Sequence, residues 1–355
     1  MEDKIKSILV TGGAGFIGSH TCLKLLESNF TIFILDSNIN SSKLSIDRII
    51  NIGKKNNLEF EKKIFFFKGD IRDEIFLNNV FLKAIEMKKK IKAVIHFAGL
   101  KSVRESVINP ILYWDFNVNG SLKLFATMKK YNCKTIVFSS SATVYGSREI
   151  NLREDLDLKP ANPYGETKVA IERILKNIFI SEKKSWRIVN LRYFNPIGAH
   201  PSGLIGENPT NEPENIFPYI CQAALGKREK LLVFGNDWPT RDGTCIRDYI
   251  HVMDLANAHK CALDFLFNNK PQNLDLNIGT GKGTSVLELI NTFNKVNQCI
   301  VNYEFTERRV GDLAQIIADT TKMNSLLKWK PEKTLSDMCL DGFKWQKLNP
   351  EGYLG

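Results

Sequence analysis

Tyr164 and Lys168 stand four residues apart in the run NPYGETK, so on a helix a phenol and an ammonium share one face, about one turn apart. Such a pair can move a proton. A phenol titrates near pH 10, and making it a base near neutrality takes a shift of about 3 units, or about 4 kcal/mol. One cation at about 6 Å supplies roughly 3 kcal/mol at an effective dielectric of about 20. A surface tyrosine that happens to lie near a lysine is the plain alternative, and the spacing alone does not exclude it.

A second feature gives the pair something to work with. Gly12, Gly13, Gly15 and Gly18 fit both GxxGxxG and GxGxxG, directly after an apolar run and at the opening of a helix. Glycine permits the tight turn and the close approach of backbone to a pyrophosphate, whose charge sits at the positive helix N-terminus, with Phe16 and Ile17 supplying N–H groups. Asp36 follows at the spacing where a carboxylate meets an adenosine ribose, and it would repel a 2′-phosphate, so NAD is expected rather than NADP. Ser37, Asn38 and Ser41 are placed to add ribose contacts. Asp70 and Ile71, and then Phe97, Ala98 and Gly99, fall at strand ends where ligands gather in open α/β sheets. Asp70 could bond the adenine amino group, cap the helix opening at Asp73-Glu74, or do both. Ser141 closes a serine run at another strand end, where hydroxyls are also ordinary turn residues.

The elements that must hold these residues follow from the hydrophobic pattern. Ser7 to Thr11, Thr31 to Asp36, Ile64 to Asp70, Ala93 to Ala98, Thr135 to Ser141 and Arg187 to Phe194 are short β-branched and aromatic runs, each followed by a helix-length segment. They predict an α/β fold with a doubly wound parallel (Rossmann) sheet covered by helices on both faces. After Asn195 the rhythm breaks into Pro- and Gly-containing segments, with strand candidates at Leu231 to Gly235 and Leu274 to Ile278. Helices are expected near Ser285 to Val296, Lys322 to Leu327 and Leu335 to Gln346. The expectation is an NAD-binding domain over 1–195 and a smaller C-terminal lobe over 196–355, with the chain free to cross back between them.

Composition narrows the classes. The 355 residues are 43% hydrophobic, enough for a sizeable core, and no apolar run approaches the roughly 20 residues that span a bilayer. The start MEDKIK leads straight into a strand without a secretory pattern, so a cytoplasmic protein without a membrane partner is expected. Seven scattered cysteines without a CxxC read as reduced structural thiols, and the five histidines show no ligand spacing, so no metal is expected. The formal charge of +10 comes largely from lysine runs without interleaved aromatics, which read as solvated faces rather than as a nucleic-acid surface.

The stretches VTGGAGFIGSHT, GDIR, VIHFAGLKSVRESV, SSSATVYG, NPYGETK, LRYFNPIGAHPSG, GNDWPTRDGTCIRDYIHVMDLA and RRVGD together resemble the extended short-chain dehydrogenase/reductase family over nearly the whole chain. Several resemble its sugar-nucleotide 4-epimerases in particular. The resemblance implies reversible 4-epimerisation of UDP-galactose and UDP-glucose through a 4-keto sugar on tightly bound NAD, with UDP-N-acetylhexosamines as possible further substrates. It implies Tyr164 as acid and base, Lys168 as its electrostatic partner and ribose ligand, and Ser141 as a hydrogen-bond donor or relay at the reacting hydroxyl. Lys101 is implied near both cofactor and substrate, and Phe194 at the cofactor. For the UDP-sugar it implies Asn195, Asn215, Leu232, Val233, Phe234, Arg247, Arg309 and Asp312, and two arginines suit one diphosphate. Their plain alternatives are an ion pair of Arg247 with Asp248 or Asp254 and a solvated Arg309 beside Glu307.

Three positions refine the resemblance. Ala142 and Thr143 stand where related dehydratases place an acid pair for eliminating water. Phe116 replaces a polar cofactor ligand of some members, leaving Asn117 as the polar residue near the catalytic helix. Ile316 stands where members restricted to glucose and galactose often carry tyrosine, which would admit an N-acetyl group unless the branched side chain closes the wall. The family also implies a homodimer through a helical interface.

Overall fold

The computed structural model describes residues 6–148, 151–209, 212–309 and 311–354; the Met1–Ile5 lead and Val310 of the RRVGD run lie outside them. Strands β1 (Ser7–Thr11), β2 (Thr31–Asp36), β3 (Ile64–Lys68), β4 (Ile91–His96), β5 (Thr135–Ser141) and β6 (Arg187–Tyr193) form one sheet with Gln272–Ile278, in the order 272–278, β6, β5, β4, β1, β2, β3. β1, β2 and nearly all of β5 and β6 are buried, as strands covered by helices on both faces must be. Parallel pairing sets Leu9 between Phe33 and Val94. The order reverses between β1 and β4, the point where ligands bind in open α/β sheets.

β3 stops at Lys68 and β4 at His96, each two residues short of the expected end. Asp70 and the Phe97–Gly99 segment therefore stand just beyond the sheet rather than in it. The strand expected from Leu274 among the segments after Asn195 is the edge strand of this sheet, next to β6. Its Asp275 accepts from Asn190 Nδ2 on β6 at 2.7 Å, a polar pairing that hydropathy does not signal.

Two compact units are present, one of residues 1–146, 158–192 and 256–276, the other of 147–157, 193–255 and 277–355. The core of the first packs Leu9, Phe33, Val94, Ile136, Phe138 and Trp186. The second is built on short pairings: Asn195–Ile197 with Tyr249–His251, Leu231–Phe234 with Tyr303–Thr306, and Ile246–Arg247 between Thr284–Ser285 and Gln315–Ile316. Its core gathers Phe217, Ile220, Leu289, Phe293, Met338 and Phe343. All seven cysteines are free thiols, and no helix among the described residues is long and apolar enough to cross a membrane.

Candidate active site

Helix α1 (Phe16–Glu27) begins at Gly15, which caps it without a side-chain bond and with no acid in the first turn. Its first N–H groups have no partner within the helix, which leaves a positive end. The glycines before it divide into two kinds. A Cβ on Gly12 (φ +71°) would lie 2.7 Å from Ala98 N, one on Gly13 2.8 Å from the Ile34 side chain, and one on Gly18 2.2 Å from Gly12 O. Those three are demanded by the chain's own packing. A Cβ on Gly15 would meet only Gly12 O, at 3.4 Å, so nothing in the protein requires this position to be bare. An uncapped helix end, clear of side chains on the approach to its N–H groups, fits the pyrophosphate of a dinucleotide.

Asp36 is buried and its carboxylate ties the turn to the loop after β2. It accepts from Ala14 N at 2.9 Å, Asn38 N at 2.9 Å and Ser41 Oγ at 2.6 Å, while Asn38 Nδ2 donates to Ser41 Oγ at 3.1 Å. The expected ribose residues Asp36, Asn38 and Ser41 thus form one hydrogen-bonded cluster with lone-pair capacity left on the carboxylate, and Ser37 lies within it in sequence.

Asp70 does not cap the following helix. Asp73 does, accepting from Phe76 N, because Asp70 is held by Arg72 at 2.7 Å. Burial pushes the Asp70 carboxyl up, but the Arg72 hydrogen bonds outweigh it and hold it below the usual range. The same guanidinium bonds Asp115 at 2.6 Å and lies 3.5 Å from the centre of the Phe116 ring. Phe116 therefore serves as the platform for an arginine. Ile71 is buried against Gly120.

The Tyr164 helix (Pro163–Ser181) is started by Asn162, whose side chain accepts from Gly165 N, with Pro163 in the first turn. Lys168 Nζ lies 5.7 Å from the Tyr164 ring centre and donates to Ser139 O at 2.7 Å. Ser141 Oγ accepts from Thr143 N at 3.2 Å and from Thr143 Oγ1 at 3.0 Å, and its hydroxyl is near enough to the Tyr164 phenol to favour the phenolate. With both acceptor sites taken by Thr143, the Ser141 proton is left to point at Tyr164. Burial pushes the phenol up to about 12, opposed by the Ser141 bond, and pushes the Lys168 ammonium down to about 8, opposed by Glu172. Desolvation thus outweighs the Ser141 contribution at the phenol.

The loop after β4 is fixed to the same helix. Phe97 N and Ala98 N donate to Thr11 O at 2.9 and 3.1 Å. Asn117, buried in one wide helical turn (Trp114–Asn119), accepts from Leu100 N at 2.8 Å and donates to Leu100 O at 3.1 Å and Thr167 Oγ1 at 3.0 Å. Gly99 leaves room for it, since a Cβ there would sit 2.9 Å from Asn117 Oδ1. Asn117 is thus a brace between the loop and the Tyr164 helix. Phe97 packs on His259 at 4.7 Å, and Lys101 is exposed.

In the second unit, Arg247 forms no ion pair with Asp248 or Asp254. Its guanidinium donates to Ile246 O, Leu313 O and, at 3.3 Å, to Asp312 Oδ1. Asp248 is buried and turned elsewhere, accepting from Thr280 and from the N–H groups of Gly281 and Ala318; Asp254 accepts from Glu332 N and Lys333 N. Ile316 is half-buried and directly in register with Arg247. Leu232 and Phe234 are exposed while Val233 is buried in the core, so any contact at Val233 is through its backbone. Phe194 N donates to Ile278 O and Asn195 N to Asp248 O. Asn215 starts the Ile216–Ala224 helix with its side chain free of capping duty, and Arg309 is exposed.

Residues 9–341 match a family model described as GDP-mannose 4,6 dehydratase. The chain is 47% identical over 348 residues to a UDP-glucose 4-epimerase of Bacillus subtilis, covering 98% of each. The crystal structure of a UDP-glucose-4-epimerase from Stenotrophomonas maltophila, with bound NAD and formylated UDP-arabinopyranose, matches with a TM-score of 0.90 at 41% identity, covering 98% of this chain and 99% of that one. The enzyme from Bifidobacterium longum in complex with NAD+ and UDP matches with a TM-score of 0.88 at 42% identity, over 98% and 100%. The chain belongs to the UDP-glucose 4-epimerase family.

Epimerase and dehydratase share the scaffold, so the broad description of the family model and the epimerase relatives do not conflict. The residues after Ser141 separate them, since Ala142 and Thr143 offer no acid to protonate a departing hydroxyl. Two groups of this epimerase-family chain are not legible as functional from the sequence. Arg72 stands there only as the last residue of GDIR, and one of its two carboxylate partners, Asp115, is far away along the chain. Glu172 on the Tyr164 helix and Arg192 on β6 form a buried pair at 2.7 Å; the spacing of Glu172, four residues after Lys168 and so on the same face, is the available signal.

Proposed function

We propose that this chain catalyses the reversible 4-epimerisation of UDP-galactose and UDP-glucose. The observation that carries it is the set Ser141, Tyr164 and Lys168 beside an uncapped glycine turn, with Ala142 and Thr143 in place of an elimination acid. In this reading Gly12, Gly15, Phe16, Ile17 and Gly18 hold the pyrophosphate of NAD, the Asp36 cluster with Ser37 its ribose, and Asp70, Ile71, Phe97, Ala98, Gly99, Lys101 and Phe194 line its remainder. When bound, NAD supplies the hydride acceptor and donor that links the 4-hydroxyl to a 4-keto sugar, and its oxidised ring adds a positive charge that opposes the effect of burial on Tyr164. Tyr164, held as the phenolate by Ser141 donating to it, removes the hydroxyl proton to become the phenol, and later returns that proton to the same oxygen. Lys168 stays largely an ammonium at pH 7 and stabilises the phenolate. Arg247, oriented by Asp312 and two carbonyls, binds the diphosphate with Arg309, while Asn195, Asn215 and the Leu232–Phe234 strand hold the rest of the UDP-sugar.

Ile316 beside Arg247 carries no ring, which supports acceptance of UDP-N-acetylglucosamine as well. Val107, Ile108 and Ile111, exposed at 62%, 67% and 83% on two consecutive short helices, support a homodimer through that face; sedimentation at a monomer mass would reject it. We place the enzyme in the cytoplasm. The test is incubation with UDP-galactose without added reductant. UDP-glucose should form with no net NADH, and Tyr164→Phe should keep its NAD while losing turnover by about 10²–10⁴-fold. A 4-keto-6-deoxy product, or full turnover in Tyr164→Phe, refutes the reading.

A further inference from the structure

Ser140 lies between Ser139, whose carbonyl receives Lys168, and Ser141, which meets Tyr164. Strand side chains alternate, so Ser140 points away from both neighbours' face. There it donates at 2.6 Å to Glu172 Oε1, a buried carboxylate on the Tyr164 helix. Arg192 on β6, only 2% exposed, grips both oxygens of that carboxylate, through Nε at 3.0 Å and Nη2 at 2.7 Å. Its Nη1 donates to Tyr145 Oη at 3.1 Å, and its Nη2 lies 3.2 Å from Asp275 Oδ2. The ion pair therefore holds the chain at residue 140 and again at residue 145, on either side of Ser141, Ala142 and Thr143. Burying two charges is costly, and an apolar pair of similar volume would often hold the fold as well or better. What an apolar pair lacks is the directed grip on both ends of the segment that presents Ser141.

We infer that Glu172 and Arg192 are positioning residues for the reaction: they clamp residues 140–145 so that Ser141 and the Ser139 carbonyl are presented to Tyr164 and Lys168, and Glu172 provides the counter-charge for Lys168 on the same helix face. This rests on the proposed epimerase reading. The charged and titratable groups around the pair are Lys168 on its own helix, Arg192 on β6, Asp275 on the edge strand and Tyr145 after β5; His96 on β4, which senses the Lys168 charge, is held neutral by burial. Removing the Glu172 charge leaves burial of Lys168 less opposed, so Lys168 loses its proton at lower pH and the alkaline limb of turnover moves to lower pH.

The experiment uses the full chain with its bound NAD and the variants Ser140→Ala and Glu172→Gln. It measures kcat and KM for UDP-galactose from about pH 6 to 10, NAD content, and amide hydrogen exchange over residues 138–146. Ser140→Ala should lose about 10-fold in kcat with KM within about 2-fold and full NAD content, because a misplaced group costs rate before it costs binding. Glu172→Gln should lose at least as much and move the alkaline limb about 1 unit lower. Exchange should quicken between residues 139 and 145 in both. Unchanged kcat and limb overturn the inference, and should Glu172→Gln not fold, Ser140→Ala decides alone. If the wild-type chain has no epimerase activity the functional reading fails separately; the exchange data then judge the clamp, and unchanged exchange overturns it.

Discussion

Gly15 offers a clean separation of folding from cofactor binding. Its backbone (φ −72°, ψ 177°) is open to alanine, and a methyl there would touch only Gly12 O at 3.4 Å. Gly15→Ala should therefore fold, and even gain about 0.4–1 kcal/mol through a less flexible unfolded chain. The methyl would stand on the approach to the first N–H groups of α1. Displacing two hydrogen bonds to a charged phosphate, each worth about 1.5–3 kcal/mol, weakens NAD by about 3–6 kcal/mol in total, or about 10²–10⁴-fold in Kd. Gly18→Ala provides the contrast: its Cβ would lie 2.2 Å from Gly12 O and 2.8 Å from Gly13 Cα, both backbone, so it should lower the melting temperature whether or not NAD is present. The assay is NAD released per chain on acid denaturation, NAD titration by calorimetry and thermal unfolding of the cofactor-free proteins. A Gly15→Ala protein that copurifies with a full complement of NAD would refute the argument. So would one that melts early without cofactor, since Gly15 would then be a packing glycine like its neighbours.

Two further outcomes follow from the geometry. Lys168 is buried and its ammonium is depressed from 10.5 to about 8, so below pH 8 the fold carries a cost of about 3 kcal/mol that fades as pH rises toward 10.5, where the unfolded lysine also loses its proton. Cofactor-free Lys168→Met should then be more stable than wild type at pH 7, with the gap narrowing above pH 8 in denaturant titrations; a constant gap rejects a charged buried lysine. Ile316→Tyr should abolish turnover of UDP-N-acetylglucosamine while leaving UDP-galactose within about 3-fold, since a blocking ring costs only the larger substrate. No turnover of the N-acetyl sugar by wild type at saturation removes the premise.

β1, β2 and β5 were legible to the residue because each is an apolar run that ends on a polar side chain with its own role. Thr11 precedes the glycine turn, Asp36 ties that turn to the loop after β2, and Ser141 lies by Tyr164. The edge strand Gln272–Ile278 was legible as a strand but not as a neighbour of β6, because its partner lies about 85 positions away and pairs through Asn190 and Asp275, which read as surface residues. The Tyr164–Lys168 pair showed in spacing, yet the sign of the Tyr164 shift in the protein alone did not, since sequence gives the cation and not the desolvation. Asp70 and Arg247 follow the same rule. Each had two roles open to it, and packing chose the one that spacing does not single out: Arg72 rather than the helix cap for the first, and the distant Asp312 rather than the adjacent Asp248 for the second.

His96 closes β4 with Nδ1 2.6 Å from Thr11 Oγ1 and Nε2 2.9 Å from Ser121 Oγ, and burial with the nearby Lys168 charge pushes it down to about 3. Histidine is the side chain most often used to sense changes near neutrality. Here both ring nitrogens are committed to hydroxyls and the ring stays neutral across the physiological range. The distance it sets between the end of β1, where the glycine turn starts, and the helix carrying Ser121 is thus indifferent to acidification of the surrounding medium. Any loss of function in mild acid has to arise from groups that do titrate there, and His96 is not among them.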